Sequence, residues 1–187
     1  YLFTQTQIQE IRAHVFCTNG ASQSLIKKLW FRQSEQDIPV EKDGEVVLEN
    51  VYNLDTVQFE RMRYIRANRD KIEHTFINFE DFISDYLAQK TWTYSLRLRS
   101  GKVIQLRARN EEVSDIDIVS EIFVDRDYDL GPLSSLENPV VVDIGAQIGL
   151  FSLYAATELN NPEIYSYEPF PESYNLLSKN AHWSPIR

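Results

Sequence analysis

The stretch that decides the fold is Val140-Val-Val-Asp-Ile-Gly-Ala-Gln-Ile-Gly149. Three β-branched apolar residues run into Asp143, and glycines follow at 145 and 149. A continuous apolar run of this length predicts a strand buried on both faces. The glycines permit a sharp turn and a close approach of ligand to backbone. About 25 residues past Asp143, Tyr165-Ser-Tyr-Glu-Pro-Phe170 predicts a second short strand closing on Glu168. A glycine turn after one strand and an acid at the end of the next make a nucleotide-type binding half-site.

The order read outward from this stretch is strand 140–143, glycine turn, helix to about 158, strand 163–168, and a helix from Pro171. Leu150, Phe151, Tyr154 and Ala155 give the first helix an apolar face, and Leu176, Leu177 and Ala181 the second. Pro171 suits a first helical turn. The result is a βαβα unit with a right-handed crossover. Gly145 and Gly149 let a ligand lie across the backbone, and Glu168 is placed to accept hydrogen bonds from a ribose diol. Asp143 either receives an ammonium group or holds the turn. A dinucleotide fingerprint wants G-x-G-x-x-G, and Gln147 stands where a further glycine belongs, which disfavours a nicotinamide cofactor.

Upstream, Tyr94, Leu96 and Leu98 alternate with Ser95, Arg97 and Arg99. After a turn at Ser100-Gly101, Ile104, Leu106 and Ala108 alternate with Gln105, Arg107 and Arg109. This is a β-hairpin with one apolar and one Arg-rich face. Ser114 with Asp117 gives a capping-box signature for a helix carrying Ile116, Val119, Ile122 and Phe123. Residues 1–90 read as a mostly helical N-terminal region, with a domain boundary near residue 90. Ile8, Ile11, Val15 and Phe16 recur at helical spacing, Asn19-Gly20 is a stop, and Ser22 caps a second short helix. Residues 33–47 predict a loop or hairpin-like turn around Asp43-Gly44, and 54–90 two further helices. His14, His74 and His182 lack partners at metal-ligand spacing, so no metal is expected. The lone Cys17 is read as a buried, inert thiol.

The chain has 187 residues and a net charge of −9. Residues 1–110 hold 16 Lys and Arg against 14 Asp and Glu, a net of +2, and residues 111–187 hold 3 against 14, a net of −11. The acidic half carries the half-site, which argues against nucleic acid as a partner. Arg61, Arg63, Arg66, Arg69 and Lys71 are interleaved with Glu60, Asp70 and Glu73 and read as a solvated helix face. No apolar run approaches the ~18 residues of a membrane span. One cysteine fits a reducing compartment, and a cytoplasmic location is expected. A doubly wound domain needs more strands than the 44 residues after Asp143 can supply, so the sequence reads as a truncated piece of a longer protein.

Residues 141–156, Val-Val-Asp-Ile-Gly-Ala-Gln-Ile-Gly-Leu-Phe-Ser-Leu-Tyr-Ala-Ala, and 164–177, Ile-Tyr-Ser-Tyr-Glu-Pro-Phe-Pro-Glu-Ser-Tyr-Asn-Leu-Leu, closely resemble the start of FkbM-type methyltransferases. So does the lead-in through Glu121-Ile-Phe and Tyr128. The resemblance covers about residues 92–183 and implies a Rossmann-like α/β domain of class I, dependent on S-adenosylmethionine (SAM). It implies that Asp143, Gly145 and Gly149 surround the methionine part of the cofactor. Glu168 would hold the ribose hydroxyls, with Pro169 and Phe170 beside the adenosine. Glu121 and Tyr128 would close the site from the preceding helix. Gln147 replaces the family's usual Asn and keeps an amide. The acceptor implied is a small-molecule hydroxyl of the sugar or polyketide type. The family's later strands, and any catalytic base among them, have no counterpart in this sequence. The alternatives are a non-catalytic helical interaction module with a remnant half-sheet, and a nicotinamide-dependent oxidoreductase.

Overall fold

The computed structural model describes residues 9–88, 93–107 and 114–182. It is a mixed α/β chain that divides into two compact units, Tyr1–Ala67 and Asn68–Arg187. The boundary expected near residue 90 falls outside the described residues.

The first unit corrects the helical expectation. Strand β1 (Glu10–Phe16), helix α1 (Gly20–Lys28), strand β2 (Arg32–Lys42) and strand β3 (Glu45–Asp55) build a three-stranded antiparallel sheet in the order β1-β3-β2. Ile11 and Val15 are four apart, a spacing that belongs both to one helical turn and to alternate positions of a strand. Pairing decides between them: Ile11 lies opposite Leu54 and Val15 opposite Asn50. The helix cap is Asn19, whose Oδ1 accepts from the Ser22 N–H at 3.0 Å; Ser22 itself is inside the helix. The segment read as a loop or hairpin-like turn is the β2–β3 hairpin. Asp43 and Gly44 turn it with φ of 53° and 81°, both left-handed as a tight hairpin turn requires. Cys17 follows β1 and is half-buried, its thiol donating to Asp37 Oδ1 at 3.4 Å.

Helix α2 (Thr56–Thr75) contains the sequence division between the units at Ala67/Asn68, and α3 (Phe79–Ala88) follows, as the apolar spacing predicts. On α2, Arg63 pairs with Glu60 at 2.8 Å and Arg69 with Glu73 at 2.7 Å, which accounts for part of the basic run. None of the helices among the described residues is long and apolar enough to cross a membrane.

In the second unit the hairpin β4 (Tyr94–Arg97) and β5 (Val103–Leu106) buries Leu96, Leu98, Ile104 and Leu106 and leaves Arg97, Arg99 and Gln105 outside. Helix α4 (Asp115–Val119) continues as a π-helical turn, Ser120–Asp125. Ser114 stands at its N-cap without making a side-chain cap bond, so only the position of the helix start matches the capping-box reading. Strand β6 (Val140–Ile144), helix α5 (Leu150–Glu158), strand β7 (Glu163–Tyr167) and helix α6 (Pro171–Ala181) follow. β6 and β7 pair in parallel, Val141 against Ile164 and Asp143 against Ser166, so α5 is a crossover helix between them.

One expectation about β6 is overturned. Its 141/143 face packs toward α5, where Ala155, Leu159 and Ile164 form an apolar cluster with Val141. Val140, Val142 and Ile144 on the opposite face are 64%, 57% and 82% exposed. The strand is therefore buried on one face only. Its run of apolar residues would suit a sheet covered on both sides, and among the described residues α5 supplies one side.

Candidate cofactor-binding site

The site is the C-terminal edge of the β6–β7 pair, where both strands hand over to helices. The Gly145 and Ala146 N–H groups donate to the Tyr167 carbonyl at 2.8 and 3.0 Å, which pins the turn after β6 to the end of β7. Gly145 has φ of 79°, and a Cβ built there would meet nothing within 4 Å. The turn thus leaves an open cradle above a left-handed backbone. Gly149 also has a positive φ, 83°, but for another purpose. It is the N-cap of α5, and a Cβ there would touch Leu177 at 3.5 Å.

Between the two glycines the chain dips into the core. Ile148 is fully buried, and its carbonyl accepts from Asn180 Nδ2 at 2.8 Å. Gln147 takes a left-handed φ of 50°, and its N–H donates to Glu168 Oε2 at 2.8 Å. The other carboxylate oxygen, Oε1, accepts from the Phe170 N–H at 2.8 Å. Glu168 is therefore held by one backbone amide on each side of the crevice. Two such bonds set its direction and leave a second lone pair on each oxygen for a ligand hydroxyl. Asp143 is fixed from below: its Oδ2 accepts from Ser152 Oγ at 2.5 Å, and Ser152 lies 2.6 Å from Ser166 Oγ. These hydroxyls bridge β6, α5 and β7 under the turn.

Two open clefts meet at Gly145, Gln147 and Ile118. One, of about 460 Å³, is bordered by Glu121, Tyr128, Asp143 and Phe151. The other, of about 510 Å³, is bordered by Arg107, Ser114, Glu168 and Phe170. Eight of the nine residues singled out from the sequence therefore line this double cleft, and Gly149 sits behind it as the helix cap. Glu121 reaches it from the π-helical turn, and Tyr128 is held against the Phe151 ring at 4.9 Å between centroids. Lining residues that the sequence did not assign to the site include Arg107, Ser114, Ile118 and Ser173. Arg107 read as one more member of an exposed Arg-rich strand face, and nothing local distinguishes it.

No protein-family model matches the chain. Methyltransferase sdnD of Sordaria araneosa is 48% identical over 63 residues, which is 34% of this chain and 24% of that protein. The similarity is to methyltransferases of the FkbM type. Methyltransferase 1 of Beauveria bassiana is 33% identical over 63 residues, again 34% of this chain and 24% of the relative. The 31-O-demethyl-FK506 methyltransferase FkbM of Streptomyces tacrolimicus is 38% identical over 61 residues, 33% of this chain and 24% of its own length. The matched part spans about a quarter of these FkbM-type relatives.

Proposed function

We propose that this chain contributes the cofactor half of a SAM-dependent methyltransferase acting on a small-molecule hydroxyl. The observation that carries the reading is Glu168, locked by the Gln147 and Phe170 amides beside the open cradle at Gly145. A fixed carboxylate accepting from two adjacent hydroxyls suits a ribose, and a backbone with room above it suits a bulky nucleoside ligand. Gln147 occupies a left-handed position that a dinucleotide turn would give to glycine, so the residues fit SAM better than a nicotinamide cofactor. When bound, SAM would supply an electrophilic methyl on a sulfonium. This chain's residues would orient it: Glu168 at the ribose, Asp143, Gly145 and Gln147 at the methionine end, Phe170 beside the adenosine, and Glu121 with Tyr128 closing the first cleft. Such transfer depends on aligning the acceptor oxygen with methyl and sulfur, an effect of positioning.

The hydroxyl acceptor is supported by the name of the FK506-related relative, an O-demethyl substrate's methyltransferase. The βαβα unit is read as the start of a Rossmann-like class I domain. The exposed Val140, Val142 and Ile144 face is the kind of surface that further helices of such a domain cover. A reducing, cytoplasmic setting is part of the same reading.

Titration calorimetry with SAM and with NAD tests the proposal. SAM binding in the micromolar range, lost in Gly145→Arg, with no NAD binding, supports it. Heat from neither ligand would sink both enzyme readings and favour a non-catalytic module.

A further inference from the structure

The cleft beside Glu168 has a wall that the glycine motif does not explain. Arg107, just past β5, lines it, and its guanidinium is gripped by Asp115 at the first position of α4. Nη2 donates to Oδ1 at 2.6 Å, Nε to Oδ2 at 3.1 Å, and the Arg107 backbone N–H to Oδ2 at 2.8 Å. Nη1 donates to Ser173 Oγ, in the first turn of α6, at 3.2 Å. Asp115 is 4% exposed and Ser173 8%, while Arg107 keeps contact with the cleft. One side chain thus joins the end of the hairpin, the helix that carries Ile118 toward Glu121, and the helix that begins immediately after Glu168 and Phe170.

A buried Arg–carboxylate pair adds little net stability over well-packed apolar residues, because desolvation offsets the attraction. What the planar fork does supply is fixed distance and direction. Among the described residues bordering the two clefts, Arg107 is the one basic side chain. Asp115 already answers its charge, so it is poorly placed to act as a free anion receptor. It is well placed to hold the roof of the cleft, α4 and its π-helical turn, at a set height above the Gly145 floor.

We infer that Arg107, clamped by Asp115 and Ser173, is a positioning residue that sets the geometry of the Glu168 side of the cofactor cleft. The inference rests on the SAM reading above. Its test is calorimetry with SAM on the full chain, wild type against Arg107→Met, Arg107→Lys and Ser173→Ala, well below each melting midpoint. A displaced wall is expected to weaken SAM binding at least about tenfold in Arg107→Met. Arg107→Lys, which keeps the charge and loses the fork, should fall between that variant and wild type. Ser173→Ala should lose severalfold in affinity with its melting midpoint unchanged, a split that a purely structural role would not produce. Unchanged affinity in folded Arg107→Met overturns the inference and leaves the SAM reading standing. If Arg107→Met does not fold, unchanged affinity in Ser173→Ala overturns it. Absence of SAM binding by wild type overturns both.

Discussion

Gly145 and Gly149 share a left-handed backbone but differ in what surrounds them, and that difference separates local folding from ligand binding. An alanine at either position must adopt φ near +80°, where a Cβ crowds the following carbonyl at a cost of about 1–2 kcal/mol. At Gly145 nothing else lies within 4 Å of the new methyl; at Gly149 it meets Leu177 at 3.5 Å, an ordinary van der Waals contact that adds no clash. Both variants should therefore lose about 1–2 kcal/mol, or about 2–8 °C in melting midpoint for a chain of this size. Their ligand behaviour should diverge. Gly145 borders both clefts, so its methyl stands in the cradle and should weaken SAM by tenfold or more. Gly149 borders neither, and Gly149→Ala should bind within about threefold of wild type once folded. Gly149→Asn should recover part of the lost stability, because Asn tolerates the left-handed region. Thermal melting by circular dichroism and calorimetry with SAM on the same preparations provide the two readouts. Equal loss of affinity in both alanine variants would refute the assignment of Gly145 to the ligand and Gly149 to the helix cap.

Glu168→Gln places an amide NH₂ against one of the two N–H groups, Gln147 or Phe170, that the carboxylate satisfies, and should cost about 1–2 kcal/mol together with a clear loss of SAM affinity; calorimetry showing wild-type binding would contradict the site. Asn180 accepts from Gln105 N–H at 2.8 Å and donates to the Ile148 and Gln105 carbonyls at 2.8 and 3.2 Å, while 1% exposed. Asn180→Ala should destabilise by about 1–3 kcal/mol in urea unfolding, because three backbone groups lose a partner and the Ile148 carbonyl among them is buried. Tyr94 donates to the buried Asp85, and burial, then that bond, holds its phenol far above the ordinary range. With the folded pKa raised, its stabilisation is intact below the unfolded value near pH ~10 and is lost as pH climbs above it. Wild type should lose more stability between pH 9 and pH 11 than Tyr94→Phe does, measured by urea midpoints at each pH.

Much of the second unit is legible from local pattern. Three valines, two glycines and Glu168 announce a strand, a turn and an acid, and the helices after them start at Leu150, behind its Gly149 cap, and at Pro171. In the first unit, helical spacing and strand pairing compete, and pairing wins. Ile11 and Val15 satisfy both periods, and the hydrogen bonds that select the strand come from β3, some forty residues away. The polar β2, with Pro39 and a register shift between Glu35 and Ile38, carries almost no apolar alternation by which to recognise a strand. The apolar run of β6 suggested burial on both faces, yet a strand's sequence reports the environment it suits, not which neighbours are present to cover it.

By itself the sequence determined the order strand, glycine turn, helix, strand, acid, helix, because each piece depends on φ preferences and periodicity within a few residues. It also determined which residues lie near the turn, since the parallel pairing of β6 with β7 brings Asp143 and Glu168 to one edge. Only the tertiary structure decided what those residues do to one another. Glu168 became a fixed acceptor through amides from two loops, Gly149 became a cap and not a cleft wall, and Arg107 became a half-buried bridge between Asp115 and Ser173. Those contacts join segments up to 66 residues apart, and no local propensity encodes a bond whose partner is chosen by packing.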